Sequence, residues 1–152
     1  ALKRSGIPRQ FFYLSSKVWN DAVKDGRADV RASVEKSLAD IGTDYFDLFH
    51  IHWPVKNSFV EAFKELEDLV TEGKIKSLGI SNFDVNEYEE LVASGISVAP
   101  AVNQFEVSPL MYRPELVNYF QSKGVAVAAS KTLNRAANLD RPAIAELAKK
   151  YS

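Results

Sequence analysis

Tyr-Phe-Asp-Leu-Phe-His-Ile-His-Trp-Pro, residues 45–54, is the stretch whose reading decides the fold. Its centre, residues 46–51, is a short apolar and aromatic run, the pattern of a strand buried on both faces. Pro54 has no N–H to give to a ladder and ends it. The strand therefore delivers His52 and Trp53 to its C-terminal end. A histidine there is either a core residue bonded to backbone or an imidazole presented for chemistry. Four other apolar runs also stop at polar side chains, which favours the second reading.

Working outward, Arg27–Ile41 reads as a helix with Val30, Val34, Leu38 and Ile41 on one face, stopped by Gly42. Ahead of it, residues 10–14 predict a first strand, followed by Ser15-Ser16-Lys17-Val18-Trp19. After Pro54, Ser58 is placed to N-cap a helix whose apolar stripe is Phe59, Phe63, Leu66 and Val70. Residues 75–80 predict a strand that stops at Ser81-Asn82-Phe83, and Asp84 starts a short helix. Residues 98–105 predict a strand carrying Asn103 and Gln104. Pro114 then opens a helix at its first position, and Gly124 stops it. Residues 125–129 predict a fifth strand. A polar loop follows, and Pro142 opens a last helix with Ile144, Leu147 and Tyr151 inward.

Strand and helix thus alternate five times, and the strands are continuous apolar runs. That pattern means a parallel sheet covered on both faces, with right-handed crossovers. The residues that end the strands are Lys17, His52, Ser81 with Asn82, Asn103 with Gln104, and Ser130. They recur at spacings of roughly 22 to 35 residues, about one β/α unit each. In a (β/α)8 barrel such residues converge on the C-terminal face, where the active site sits. No G-x-G-x-x-G follows the first strand and no phosphate-binding G-x-x-x-x-G-K-[ST] occurs, which weighs against the other nucleotide-binding α/β folds. The expected fold is α/β, a TIM (β/α)8 barrel with about five consecutive units. Residues 1–152 are expected to be part of a single barrel domain, and both ends read as cut from something longer.

Composition narrows the chemistry. The chain has 152 residues, a formal net charge of −1 and 46% hydrophobic residues, enough for one core. A near-neutral balance gives no electrostatic reason to expect a nucleic-acid partner. Zero cysteines exclude disulfides, a thiolate nucleophile and cysteine-ligated zinc. His50 and His52, two apart and without carboxylate partners, do not make a metal site. No apolar run reaches the length of a membrane span and no signal peptide is visible. A cytoplasmic protein with no membrane partner is the expectation.

Each strand-end residue has a chemical use. Lys17 is either a solvated ammonium or a charge that lowers a neighbouring phenol's pKa or holds a carboxylate. His52 can donate to a carbonyl oxygen that gains negative charge. Ser81 and Asn82 serve equally as a helix cap. The amides of Asn103 and Gln104 need partners if buried, and they match a carboxamide ligand donor to acceptor. Trp19 and Trp53 are either core aromatics or the apolar wall of a substrate pocket.

Taken together, Ser16-Lys17-Val18-Trp19, Asp47-Leu48-Phe49-His50-Ile51-His52-Trp53-Pro54, Gly79-Ile80-Ser81-Asn82-Phe83, and Val102-Asn103-Gln104-Phe105-Glu106 with Pro109 resemble successive signatures of the aldo-keto reductases, in that family's order and spacing. The resemblance covers nearly the whole chain. It implies reduction of aldehydes and ketones by direct hydride transfer from NADP(H), NAD being possible, on a small-molecule carbonyl substrate. By resemblance Lys17 and His52 are catalytic, and Ser81, Asn82 and Gln104 hydrogen-bond the nicotinamide carboxamide. Ser130 reaches the pyrophosphate, and Trp19 and Trp53 line the substrate pocket. The intact protein is expected to be a monomer or weak oligomer. The resemblance places the family's catalytic Asp and Tyr ahead of residue 1, so the 152-residue chain alone is expected to be inactive. Ala129 stands where many members have a tyrosine that stacks on the nicotinamide. That departure motivates the alternative of a non-catalytic, cofactor-binding regulatory or redox-sensing barrel; an inert fragment is the blandest reading. His50 stands where an aliphatic residue is usual.

Overall fold

The computed structural model describes residues 2–137 and 139–151. A short α1 (Leu2–Ser5) precedes β1 (Ser15–Val18). There follow α2 (Asn20–Asp25), α3 (Arg27–Ile41), β2 (Leu48–Ile51), α4 (Phe59–Thr71), β3 (Leu78–Ser81), α5 (Val85–Ala93), β4 (Val102–Glu106), α6 (Pro114–Ser122), β5 (Ala126–Ser130) and α7 (Pro142–Tyr151). The five strands form one parallel sheet in the order β1-β2-β3-β4-β5. Each strand lies beside its predecessor, so there is no reversal of strand order as in a doubly wound sheet. This is the wall of a barrel. Among the described residues no helix is long and apolar enough to cross a membrane.

Side chains alternate across the sheet and register neighbours share a face. Val18, Phe49, Ile51, Leu78, Ile80 and Phe105 turn toward the helices and are at most 1% exposed. They meet Val30 and Val34 of α3, Phe63 and Leu66 of α4, and Leu91 of α5 in one core. The opposite face carries the polar residues in rows. One row runs Lys17, His50, Gly79, Val102, Ala126; the next runs Ser81, Gln104, Ala128. His52, one step beyond β2, continues that upper row.

The first strand begins later than the sequence predicts. Residues 9–11 form a 3-10 turn after Pro8, and the ladder starts at Ser15. The backbone donors of the expected strand are used elsewhere. Phe11 and Phe12 N–H groups donate to the carbonyls of Pro8 and Arg9, and Leu14 N–H donates to the Asp47 carboxylate. Phe11 and Tyr13 remain 74% and 69% exposed, so the aromatic content that suggested burial is not buried here. Lys17 therefore lies inside β1, not after it. The fourth strand also starts late, because the Val98 N–H is held by Glu67 Oε1 at 2.6 Å.

Helix α3 matches its expected bounds and ends on Gly42 in the left-handed conformation (φ 73°, ψ 51°), but Ile41 lies on its exposed side. Ser58 makes no side-chain cap to α4, whose buried stripe closes on Leu69 in place of Val70. Asp84 caps α5 in full: its carboxylate accepts from the N–H groups of Asn86 and Glu87, and Glu87 reaches back to the Asp84 N–H at 2.9 Å. In α7 the expected inward residues Leu147 and Tyr151 are exposed, and only Ile144 is half-buried. The stripe faces Pro109 and Leu110 across an open cleft, which leaves Leu147 and Tyr151 largely in solvent.

Two ion-pair clusters hold the layers together. Buried Glu65 of α4 accepts from Arg27 Nε at 3.0 Å and Arg31 Nε at 2.6 Å, tying α4 to α3. At the N-terminal end of β2, Asp47 accepts from Arg9, Lys76 and the Leu14 N–H. Burial pushes its carboxyl up, but those three donors outweigh it and hold the pKa at about 2.

Candidate active site

The site is assembled at the C-terminal ends of adjacent strands. Lys17 comes from β1, and its ammonium has no carboxylate or phenol partner among the described residues. Partial burial lowers its pKa. His52 is fixed by its backbone, whose N–H donates to the Val18 carbonyl at 3.2 Å. The His52 ring packs edge-on against Trp19, with ring centroids 4.6 Å apart. Desolvation, and then the charge of Lys17, lower the His52 pKa, so near neutral pH the ring is a neutral imidazole with one N–H to offer. Trp19 and Trp53 are 55% and 44% exposed, large apolar faces at the open end.

The turn after β3 supplies the next groups. Ser81 is buried; its hydroxyl donates to the Gln104 carbonyl at 2.7 Å and accepts from Asn82 Nδ2 at 3.1 Å. Asn82 sits in the left-handed region (φ 62°), and its backbone N–H also donates to the Gln104 carbonyl, at 2.9 Å. Its Nδ2 donates to the His52 carbonyl at 2.9 Å, joining the ends of β2 and β3. Asn82 Oδ1 and the whole Gln104 amide make no hydrogen bond among the described residues. Ser130, at the end of β5, pairs in register with Glu106, and its carbonyl accepts from the Val107 N–H.

Three expectations change. The Ser81 hydroxyl has its proton committed to the Gln104 carbonyl, so it holds the turn and has none to donate to a carboxamide. Asn103 does not join the site. It faces the helices, fully buried, and its Nδ2 donates to the Phe83 carbonyl at 3.0 Å. Only Gln104 of that amide pair looks into the barrel, which strand alternation dictates once the register is known. Ala129 likewise pairs with Phe105 on the helix-facing side, and Ala128 shares the row of Gln104.

The structure also accounts for His50, which sequence reasoning left unexplained. It is 3% exposed and shares a row with Gly79. Its ring occupies the space a side chain on Gly79 would need: a Cβ built there would lie 2.8 Å from Nε2 and 3.1 Å from Cγ. His50 Nδ1 lies 3.2 Å from the Ser16 carbonyl, which can only accept, so Nδ1 carries the proton. Burial lowers the His50 pKa to about 4, the Ser16 contact opposing and the charges of Lys17 and His52 assisting. His50 is thus a neutral packing residue beneath the site. The glycine opposite it in the ladder was the signal available in the sequence.

The free functions fit a nicotinamide carboxamide. Asn82 Oδ1 can accept from its NH2, and Gln104 can both donate and accept. Among the described residues no group of three or more His, Cys, Asp or Glu could hold a metal ion.

The sequence profile of the Aldo/keto reductase family matches residues 1–141. The chain is 36% identical over 151 residues to the glyoxal reductase of Bacillus subtilis (strain 168), covering 99% of this chain and 54% of that protein. It is 37% identical over 151 residues to the uncharacterized oxidoreductase YtbE of the same organism, covering 99% and 53%. An aldo/keto reductase from Brucella melitensis superposes with a TM-score of 0.89 at 33% identity, covering 99% of this chain and 57% of that one. The Bombyx mori aldo-keto reductase in complex with NADP superposes with a TM-score of 0.84 at 30% identity, covering 97% and 54%. The chain spans about half the length of the relatives it matches.

Proposed function

The chain belongs to the aldo-keto reductase family, and from that premise we propose that the protein carrying it reduces aldehydes and ketones to alcohols with NADPH. The observation that carries the reading is the set of unused functions at neighbouring strand ends: Asn82 Oδ1, the Gln104 amide and the His52 imidazole. In (β/α)8 barrels the active site forms at the C-terminal ends of the strands, and these groups sit at such ends, which supports the reading. NADPH, when bound, supplies the hydride to the carbonyl carbon. The NADP complex of the Bombyx mori relative makes NADPH the first cofactor to test and NADH the second.

The chain's own residues have separable roles. Asn82 Oδ1 and Gln104 orient the carboxamide, and the Ser81 hydroxyl, bonded to Gln104 O, holds their turn. Neutral His52 donates its N–H to the substrate oxygen and stabilises the charge that develops there. The Lys17 cation favours the same charge, and it acidifies a phenol held beside it so that the phenol can protonate the alkoxide. Trp19 and Trp53 supply apolar walls, and Ser130 offers a hydroxyl to the pyrophosphate. The glyoxal reductase relative makes a small dicarbonyl a sensible first substrate.

The test is loss of NADPH absorbance with the intact protein and a panel of aldehydes that includes glyoxal. Turnover of at least one is expected. Tight NADPH binding without turnover of any would favour a regulatory barrel, consistent with alanine at both Ala128 and Ala129; no binding of either cofactor would refute the reading.

A further inference from the structure

Asn103 is the one amide of the candidate set that faces away from the site. In register it lies between Ile80 and Val127 in the helix-facing layer, fully buried. A buried amide is costly unless its groups are bonded. Here only half of it is: Nδ2 donates to the Phe83 carbonyl, while Oδ1 has no partner among the described residues. A leucine of similar shape would fill the space without the orphaned oxygen. What the amide adds is the bond to Phe83.

Phe83 closes a turn that the backbone does not favour. Asn82 just before it is held at φ 62°, a region that residues with a Cβ rarely adopt. The turn is held by two consecutive residues of β4, one through its backbone and one through its side chain. The Gln104 carbonyl takes the Asn82 N–H and the Ser81 hydroxyl. Asn103, from the helix side, donates its Nδ2–H to the Phe83 carbonyl. The turn in turn reaches β2, because Asn82 Nδ2 donates to the His52 carbonyl.

We propose that Asn103 is a positioning residue for the reductase site, holding the 81–83 turn so that Asn82 is presented to the cofactor and tied to His52. This role rests on the reading given above. Asn103 touches neither cofactor nor substrate in it, and acts only through the turn.

The experiment compares Asn103→Leu with the unaltered intact protein by three readouts: NADPH Kd from fluorescence, kcat, and hydrogen exchange of the amides at residues 81–83. Val34→Ala, in the core of α3 away from the turn, is the control for lost stability. Should Asn103→Leu not fold, Asn103→Ala takes its place, since it adds no bulk. The expected result is a rise in NADPH Kd and a fall in kcat of roughly 10-fold or more each, with faster exchange at Asn82. Val34→Ala should lower Tm while leaving Kd and the exchange of the turn unchanged. Unaltered Kd, kcat and exchange in the Asn103 variant would overturn the proposal. So would a Val34→Ala variant that raises Kd by the same factor. If the unaltered protein binds no NADPH, the reductase reading fails first and this role falls with it.

Discussion

The Gly79→Ala substitution tests the layer beneath the site. Gly79 has no side chain where the His50 ring lies over it, and an added Cβ would come within 2.8 Å of Nε2 and 3.1 Å of Cγ, and nearer still to Cδ2. These are closer than carbon and nitrogen tolerate, and the ring cannot swing into solvent because His50 is 3% exposed. The strand or the ring must shift, and such overpacking costs about 1–3 kcal/mol. For a domain of this size or larger, each kcal/mol lowers Tm by roughly 2–4 °C. Denaturant and thermal unfolding of the intact protein measure it. In a His50→Ala background the space is open, so adding the methyl group should cost nothing, or even stabilise by relieving the entropic cost of glycine in a strand, roughly 0.5–1 kcal/mol. The two substitutions are therefore coupled, Gly79→Ala being costly with His50 present and neutral or stabilising without it. Equal cost of Gly79→Ala in both backgrounds, or no cost with His50 present, would refute the packing argument.

Two further outcomes are expected. His52→Ala should lower kcat/KM by about 10²-fold or more through loss of the donor to the carbonyl oxygen; steady-state kinetics check it, and an unchanged value would return His52 to a packing role. Asp47, with its pKa depressed from 3.8 to about 2, contributes stability that is fully present above about pH 4 and is lost as pH falls through about 2. The difference is worth about 2 kcal/mol, so unfolding curves of Asp47→Asn should show lower stability at pH 7 and a flatter fall between pH 4 and pH 2 than the unaltered protein.

The fold was legible because strand-like runs alternate regularly with helices and helix punctuation is explicit. Gly42, Asp84 and Pro114 stand where the sequence places them, at a helix stop and two helix starts. The misplaced first strand has a tertiary cause. Phe11, Phe12, Tyr13 and Leu14 look like a buried run, but Arg9 and Asp47 claim the backbone around them. That arrangement depends on residues more than thirty positions apart. The candidate site residues were legible by type and position, yet their directions were not. Asn103 and Gln104 are neighbours in sequence and lie on opposite faces, and only the register with Ile80 and Ser81 says which looks inward. The tie from Asn82 to the His52 carbonyl requires a left-handed asparagine, which no pattern of polarity announces. The His50 and Gly79 pair is a fit of shapes across two strands, visible only once β2 and β3 are aligned.

The central claim is that hydride passes directly from NADPH to a carbonyl carbon held against His52. The most direct measurement uses NADPH deuterated at C4 of the nicotinamide, prepared separately on each face, with mass spectrometry of the alcohol formed by the intact protein. The account expects one of the two labelled cofactors to leave one deuterium on the former carbonyl carbon, the other to leave none, and His52→Ala to slow that transfer. Alcohol that carries no deuterium from either labelled cofactor would contradict it.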